Sequence, residues 1–480
     1  MLLKQWQVLF DIFVPMARLS LEDTICAIST APGIGAIAVA RISGPLTFAT
    51  LEKIFKPSNK KTSLKKALSH TIHHGTINTS EGPLDDVLLS IFKSPNSYTG
   101  EDVAELSIHG SAYLQRRIME VFLDHGLRMA GPGEFTLRAF MNGKLDLTQA
   151  EGVADVIAAH SKVSHDLAFS QLRGGFSKKL RVLREKLIDF VSLLELELDF
   201  GEEDVEFADR SRLIKLVGNI KAEISSLVDS FSLGNVIKKG IPVAIIGKPN
   251  AGKSTLLNAI LNEEKAIVSE IPGTTRDAIE DTIVIGGYSF RFIDTAGLRA
   301  AENVIESMGI ERTWQKISEA SIVLYVFDTT KESYGDVVRA LEDFKDIADN
   351  PSRHLILVGN KLDKVKKLPK GFTSFLNQET IFVSAKRHEN IHQIAESLVS
   401  KVSLSGINDG LVISNSRHYE ALRNSLSALN GVETGLREDL PADLLSSNIR
   451  NALYYLGEIS GEITTDDILG NIFSRFCIGK

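Results

Sequence analysis

Cysteine is scarce in this chain: of its 480 residues only Cys26 and Cys477 carry a thiol, at opposite ends, with no CxxC pair. That excludes a disulfide framework and a cysteine-built zinc site, and a reducing, cytoplasmic setting is expected. Long apolar runs are missing too. None reaches the roughly 20 residues that cross a bilayer, and the stretch Trp6–Val14 is broken by Asp11, so neither a membrane partner nor a signal peptide is read. Positive charge is not in excess. The net charge of −7 argues against a broadly basic surface and leaves clusters such as Lys60–Lys66 and Lys178–Lys186 as solvated faces, able locally to touch phosphates. There are no convincing internal repeats or low-complexity stretches.

What is present is ordinary in bulk and specific in detail. The 43% apolar and 24% charged fractions suit a soluble globular chain, and the length suits about three domains. The informative stretch begins where the apolar run Ile241–Ile246 leads into Gly247-Lys248-Pro249-Asn250-Ala251-Gly252-Lys253-Ser254, followed by the helical apolar spacing of Thr255–Leu261. Strand, glycine loop and helix together form a phosphate cradle: backbone N–H groups curl around an anion at a helix N-terminus. Lys253 is expected to reach the β- and γ-phosphates and Ser254 to give a hydroxyl to Mg2+. Three more apolar runs end in polar signatures. Tyr288–Ile293 ends in Asp294-Thr295-Ala296-Gly297, Leu355–Val358 in Asn360-Lys361-Leu362-Asp363, and Thr380–Val383 in Ser384-Ala385-Lys386. A carboxylate at the Asp294 strand end can hold Mg2+ through water, and Gly297 can face the γ-phosphate. In this order the motifs resemble the translation-factor-like GTPases, whose NKxD carboxylate accepts from guanine N1 and N2. The resemblance implies GTP as substrate, bound by residues 250–255, Ser269, Thr274, Thr275, residues 294–297, Asn360, Lys361, Asp363, Ser384, Ala385 and Lys386.

The flanks read differently. Residues 23–131 hold β-like segments at Thr24–Ile28, Ala36–Ile42, Val87–Phe92 and Val103–Ile108 and a helix-like one at Leu114–His125, an α+β module. Gly33-Ile34-Gly35 lacks the rest of a dinucleotide fingerprint and reads as a turn. By composition Ser94–Asp102 and Gly131–Arg138 are polar loops. From Thr136 to Leu233 long helices follow, interrupted by Gly201-Glu202-Glu203-Asp204, a helix-end loop without metal-ligand spacing. A helix over Arg212–Phe231 leads through Gly234 and Gly240 into the first strand of the nucleotide module, and the tail is helical again at Leu444–Leu456 and Asp466–Phe473.

Those flanks carry a narrower resemblance. Asp23-Thr24-Ile25, Ala40-Arg41-Ile42-Ser43-Gly44, Pro95-Asn96-Ser97-Tyr98-Thr99-Gly100-Glu101-Asp102-Val103, Pro132-Gly133-Glu134-Phe135-Thr136, Asn142–Glu151 and the final Phe476-Cys477-Ile478-Gly479-Lys480 resemble the MnmE, or TrmE, family of tRNA modification GTPases, from about Leu21 to Lys480. The resemblance implies a multidomain α+β and α/β fold. Residues 1–20 would be an extension, its first fifteen residues without a role in the fold, and 21–135 an N-terminal folate-binding and dimerisation domain. A discontinuous α-helical domain would comprise 136–236 and 403–480, with a Ras-like P-loop GTPase domain inserted at 237–402. It implies a homodimer that, with the FAD-dependent partner MnmG (GidA), uses 5-formyl- or 5,10-methylene-tetrahydrofolate to install an aminomethyl or carboxymethylaminomethyl group on carbon 5 of the wobble uridine of certain tRNAs. Motif matching puts the folate contacts on Arg41, Glu105, Lys144 and Lys480, basic groups suiting a glutamate carboxylate and Glu105 the donor edge of a pterin. Cys477 becomes a candidate for the tRNA chemistry, as nucleophile or structural contact; as a prenylation signal the terminus fails, since Gly479 is not aliphatic.

Catalysis needs a substitute for the glutamine that follows DTAG in Ras-like enzymes, because Leu298 stands there. Of Glu302, Glu306 and Glu311, the family match selects Glu306 to position water. In place of an arginine finger it implies K+ held by Asn250, Ser269, Ile271 and Thr274, with Thr275 joining Ser254 on Mg2+. The competing readings are a ribosome-assembly GTPase switch that binds structured RNA without modifying it, and a folate-binding scaffold with a vestigial GTPase.

Overall fold

The computed structural model describes residues 22–59, 63–199, 210–265, 281–293, 319–342, 353–367, 379–403 and 411–480. They divide into two compact units, one of Met1–Ala154, Gln171–Ala208 and Leu440–Lys480, the other of Asp155–Ser170 and Asp209–Asp439.

The first unit is built on a seven-stranded sheet in the order β3-β4-β5-β6-β2-β1-β7, with β1 Ile25–Ile28, β2 Ile37–Ser43, β3 Phe55–Pro57, β4 Thr71–Thr79, β5 Gly82–Phe92, β6 Val103–His109 and β7 Arg128–Met129. All neighbours are antiparallel except β1 and β7. Alternate residues such as Ile77, Leu89, Leu106 and Ile42 point to one face and pack with Leu51 of α1 (Thr47–Ile54) and Phe122 of α2 (Ala112–Asp124). That is the period-two pattern of a sheet covered on one side. The sequence signal missed β4, whose Gly75, two histidines and Asn78 dilute the apolar alternation. Gly75 is there because a Cβ would stand 2.4 Å from the Lys56 carbonyl oxygen of the neighbouring strand.

Two further differences have local causes. The stretch expected as a loop at Gly131–Arg138 turns into α3 (Glu134–Met141), entered through Gly133 at φ +65°. Its buried face includes Glu134 and Arg138, polar residues that composition places outside. After α3 come α4 (Leu147–Ala158), α5 (Lys162–Leu172) and α6 (Gly175–Asp199). Gly234, expected in a connector, lies inside α7 (Arg210–Lys239), which runs to the start of the next sheet. The glycine is needed because Ile413 crosses so closely that a Cβ would meet its carbonyl oxygen at 2.0 Å.

The second unit holds a six-stranded sheet, β13-β12-β11-β8-β10-β9, parallel except for the β9–β10 hairpin. β8 (Ile241–Ile246), β11 (Ile322–Asp328) and β12 (His354–Asn360) are buried along nearly their whole length, as parallel strands covered on both faces must be. The rest are β9 (Asp281–Ile285), β10 (Tyr288–Phe292) and β13 (Glu379–Phe382), with α8 (Lys253–Lys265), α9 (Tyr334–Glu342) and α10 (Ile391–Ser403) against the faces. In this unit α7 packs along α11 (Ser416–Arg437); in the first, α6 packs along α12 (Ala442–Ser460), with α13 (Asp466–Phe473) beside α3. Among the described residues no helix is long and apolar enough to cross a membrane, and no cluster of His, Cys, Asp and Glu could hold a metal.

Candidate functional site

In the second unit the carboxyl ends of β8, β11 and β12 bring three loops together. The loop after β8 is forced into shape by its glycines. Gly247, at φ +143°, passes so close to β11 that a Cβ would stand 2.0 Å from the Val326 carbonyl oxygen. Gly252, at φ +96°, leaves room for Asn360 Nδ2, which a Cβ would meet at 2.2 Å. Asn250 sits between them in the left-handed region at φ +61°, and α8 starts at Lys253 with Ser254 and Thr255 in its first turn. A helix N-terminus preceded by such a loop concentrates unpaired N–H groups on one spot, an anion site. The Lys253 ammonium curls back over the loop, donating to Gly247 O at 2.7 Å and Lys248 O at 3.0 Å.

Asn360 ties the three loops. It is 3% exposed; its Nδ2 donates to Ala251 O at 2.9 Å, while its Oδ1 accepts from Lys361 N at 2.7 Å and Ala385 N at 3.1 Å. Lys361 lies along the glycine loop, donating to Asn250 O at 2.6 Å and to Asp328 Oδ2 at 2.7 Å. Asp363 accepts from Ser384 Oγ at 2.7 Å, and that hydrogen bond, outweighing burial, holds its carboxyl below the ordinary value of 3.8. The arrangement therefore offers an anion cradle beside a fixed, ionised hydrogen-bond acceptor. Lys386 follows Ala385 and is exposed.

Sequence reasoning missed Asp328 and Glu332. Burial pushes the Asp328 carboxyl up, but hydrogen bonds from Lys361 and from the Thr330 hydroxyl and N–H outweigh it and hold the group ionised. Glu332 accepts from Asp328 N at 3.0 Å and pairs with Lys248 of the glycine loop at 3.0 Å. The signal was available: Ile322–Phe327 is an apolar run ending in a carboxylate, like the run before Asp294. Ser269, Ile271, Thr274, Thr275, Asp294, Thr295, Ala296, Gly297, Leu298 and Glu306 lie outside the described residues.

The first unit carries a second cluster. Arg41 on β2 and Glu105 on β6 are directly opposed in the antiparallel register, and their side chains pair at 2.8 and 2.9 Å, both contacts to Glu105 Oε1. The guanidinium stands 5.8 Å from the Tyr98 ring centre and 5.5 Å from that of Phe135. Its remaining edge reaches the chain terminus, Arg41 Nη1 donating to Gly479 O at 3.1 Å. Lys144 donates to Pro95 O at 2.9 Å and so lies on the 94–102 loop that carries Tyr98. The same loop is held from below by Asn142 Nδ2, which donates to Thr99 O at 2.7 Å, and by Arg138, fully buried and paired with Asp23, Glu101 and Glu134. Of the terminal residues, Cys477 is exposed, Gly479 buried and Lys480 half-buried. Arg41, Glu105 and the tail thus meet in one place, with Lys144 on the adjoining loop.

Residues 24–144 match the family described as GTP-binding protein TrmE N-terminus, and residues 147–477 match the one described as MnmE helical domain. Among curated proteins, the tRNA modification GTPase MnmE of Cytophaga hutchinsonii is 50% identical over 461 residues, covering 95% of this chain and 98% of that protein. Those of Flavobacterium psychrophilum and Bacteroides thetaiotaomicron are each 49% identical, covering 96% of this chain and 99% and 100% of theirs.

Proposed function

This chain belongs to the MnmE, or TrmE, family, and from that premise we propose that it is an enzyme that hydrolyses GTP in the course of tRNA modification. The observation that carries the nucleotide half is the Asn360 clamp. Side chains of the Asn360–Asp363 segment hold the glycine loop through Ala251 O and Asn250 O while Asp363 stays ionised. A guanine needs an acceptor for two ring-edge hydrogens and its phosphates need a cradle, and here both are fixed to one scaffold. Residues 237–402 are then a Ras-like P-loop GTPase domain inserted between the two segments, 136–236 and 403–480, of a helical domain, behind an N-terminal domain of 21–135 and an extension of 1–20.

In this reading Asn250 to Thr255 receive the phosphates, and Lys253 exchanges its loop carbonyls for phosphate oxygens. Asp294 to Gly297, Ser384, Ala385 and Lys386 complete the pocket. Ser254 and Thr275 would hold Mg2+, and Asn250, Ser269, Ile271 and Thr274 would hold K+; bound there, the cations would neutralise phosphate charge. Ser254 fits that part, standing in the first turn of α8 directly after the cradle. Glu306 positions the attacking water where Leu298 cannot.

The Arg41 cluster is the proposed site for 5-formyl- or 5,10-methylene-tetrahydrofolate, with Glu105, Lys144 and Lys480. An arginine has five N–H donors, and Arg41 gives three to Glu105 and Gly479, leaving two for a ligand carboxylate. Glu105 meets Arg41 through Oε1 alone, leaving Oε2 for a pterin donor edge. Bound folate supplies the one-carbon unit. The chain works as a cytoplasmic homodimer with the FAD-dependent partner MnmG (GidA), on carbon 5 of the wobble uridine, with Cys477 near the modified base. Mass spectrometry of tRNA nucleosides from cells lacking this protein tests the whole: the aminomethyl-type wobble uridines should vanish, and unchanged levels would refute the assignment.

A further inference from the structure

The chain terminus enters the first unit through two approaches too close for any side chain. Gly479 is at φ +94°, and a Cβ there would stand 2.6 Å from Ile28 O and 3.0 Å from Ser29 Cα. On the receiving side Gly133 is at φ +65°, and its Cβ would meet Phe473 O at 2.8 Å and Phe476 Cβ at 2.9 Å. Between them the tail is held by an isolated β-bridge: Ile478 bridges Pro132, and Gly133 N donates to Cys477 O at 3.4 Å. The Gly479 carbonyl is held twice, by Ser29 Oγ and by Arg41 Nη1, both at 3.1 Å.

The second of these donors belongs to the guanidinium that Glu105 braces and that lies by Tyr98 and Phe135. We propose that Arg41, besides offering donors to the ligand, couples the tail to the cofactor site of which it is part. Its guanidinium holds the Gly479 carbonyl with one edge, so seating of the tail and binding of an acidic reduced pterin favour each other. This rests on the folate reading given above.

The physical basis is preorganisation. Arginine has a long side chain that loses much rotamer freedom when fixed. With Glu105 on one edge and the tail on another, that freedom is lost before a ligand carboxylate arrives, and the ligand meets donors already aimed. Linkage makes the effect reciprocal: whatever factor the seated tail adds to ligand affinity, the ligand adds to seating. The two glycines make seating conditional, since a methyl group on either side pries the tail out.

The test measures both directions on the full chain. Hydrogen exchange of the Phe476–Lys480 peptide reports seating, and isothermal titration with 5-formyl-tetrahydrofolate reports affinity. In the parent protein the folate should slow exchange of that peptide by about 10-fold, within the usual range of coupling. Gly479→Ala should speed exchange and weaken folate by a matching factor. Ser29→Ala, which removes a hydroxyl and strains nothing, should move both readouts the same way by less. Arg41→Lys should shrink the coupling to the share that Lys480 carries, because an ammonium cannot span Glu105 and Gly479 in the guanidinium's geometry. A purely structural role would change exchange without the matching change in affinity, and that result would overturn the proposal. So would folate binding to Gly479→Ala at parental affinity. Failure of the parent itself to bind folate would instead refute the underlying cofactor reading, and the coupling with it.

Discussion

Replacing Asn360 with alanine tests whether the nucleotide site is held together by one side chain. The substitution removes three hydrogen bonds: the one donated to Ala251 O and those accepted from Lys361 N and Ala385 N. Ala251 and Ala385 are buried at 1% and 2% exposure, so one carbonyl and one N–H are stranded away from water. Each such group costs ~1–3 kcal/mol, and partial entry of water into the vacated volume brings the sum to about 3 kcal/mol. At ~2–4 °C per kcal/mol for a unit of this size, the melting transition should fall by about 6–12 °C. GTP affinity should fall by at least ~10-fold, because the glycine loop loses the tie that fixes Ala251. The comparison variant is Asp363→Asn. An asparagine Oδ1 still accepts from Ser384 Oγ, so the scaffold is kept, while the acceptor for the guanine hydrogens is lost at ~2 kcal/mol or more. Calorimetry and GTP titration of both proteins separate the effects: Asn360→Ala should lose stability and affinity, Asp363→Asn affinity alone. A melting point within ~2 °C of the parent for Asn360→Ala would refute the clamp.

Three other outcomes are expected. Glu306→Ala should lower GTP turnover by ~10²-fold with nucleotide affinity nearly unchanged, since water positioning matters only in the transition state; equal parental rates in potassium and sodium buffers would count against the cation part. Arg138→Met leaves Asp23 and Glu134 sharing the single guanidinium of Arg128 and takes from Glu101 the cation it pairs with, so urea unfolding should show a loss of ~3–5 kcal/mol. A loss below ~1 kcal/mol would mean that the buried charges are not coupled. Iodoacetamide at pH 8 should modify Cys477 alone. Burial pushes the Cys26 thiol up to about 12, leaving a thiolate fraction of ~10⁻⁴, and peptide mapping should find Cys26 labelled only after denaturation.

Most of the parallel sheet was legible because its strands are buried on both faces; β11, as apolar as the rest, was passed over. Ile241–Ile246 is an uninterrupted apolar run in the sequence and the same six residues form β8. The anion loop was legible for a related reason, since glycine spacing at 247 and 252 encodes where the backbone must turn and what must pass close to it. Local pattern could not show Arg138. A guanidinium is read as solvent-facing, and only the folded register brings Asp23 and Glu101, distant in sequence, close enough to make its burial tolerable. Arg41 and Glu105 are a similar case. Nothing within a dozen residues of either predicts the other, and their pairing follows from β2 and β6 lying side by side. The family resemblance singled out both residues as folate contacts and said nothing of their pairing.

Both candidate sites are built the same way, and the shared construction says why neither is read from side-chain chemistry alone. In each, a loop or terminus is drawn against a strand or a helix end by a glycine whose missing Cβ admits a backbone or amide group: Gly247 under Val326, Gly252 against Asn360, Gly133 under Phe473, Gly479 against Ile28. In each, one polar side chain then fixes the drawn-in backbone by its carbonyl: Asn360 on Ala251 O, Arg41 on Gly479 O. A carbonyl held in this way cannot be replaced by a different side chain at its own position, because the contact is made by the main chain. Substitutions at these glycines should therefore act through geometry and not through lost chemistry. Alanine at 252 should impair nucleotide binding about as much as removal of Asn360 does, although no donor or acceptor has been deleted.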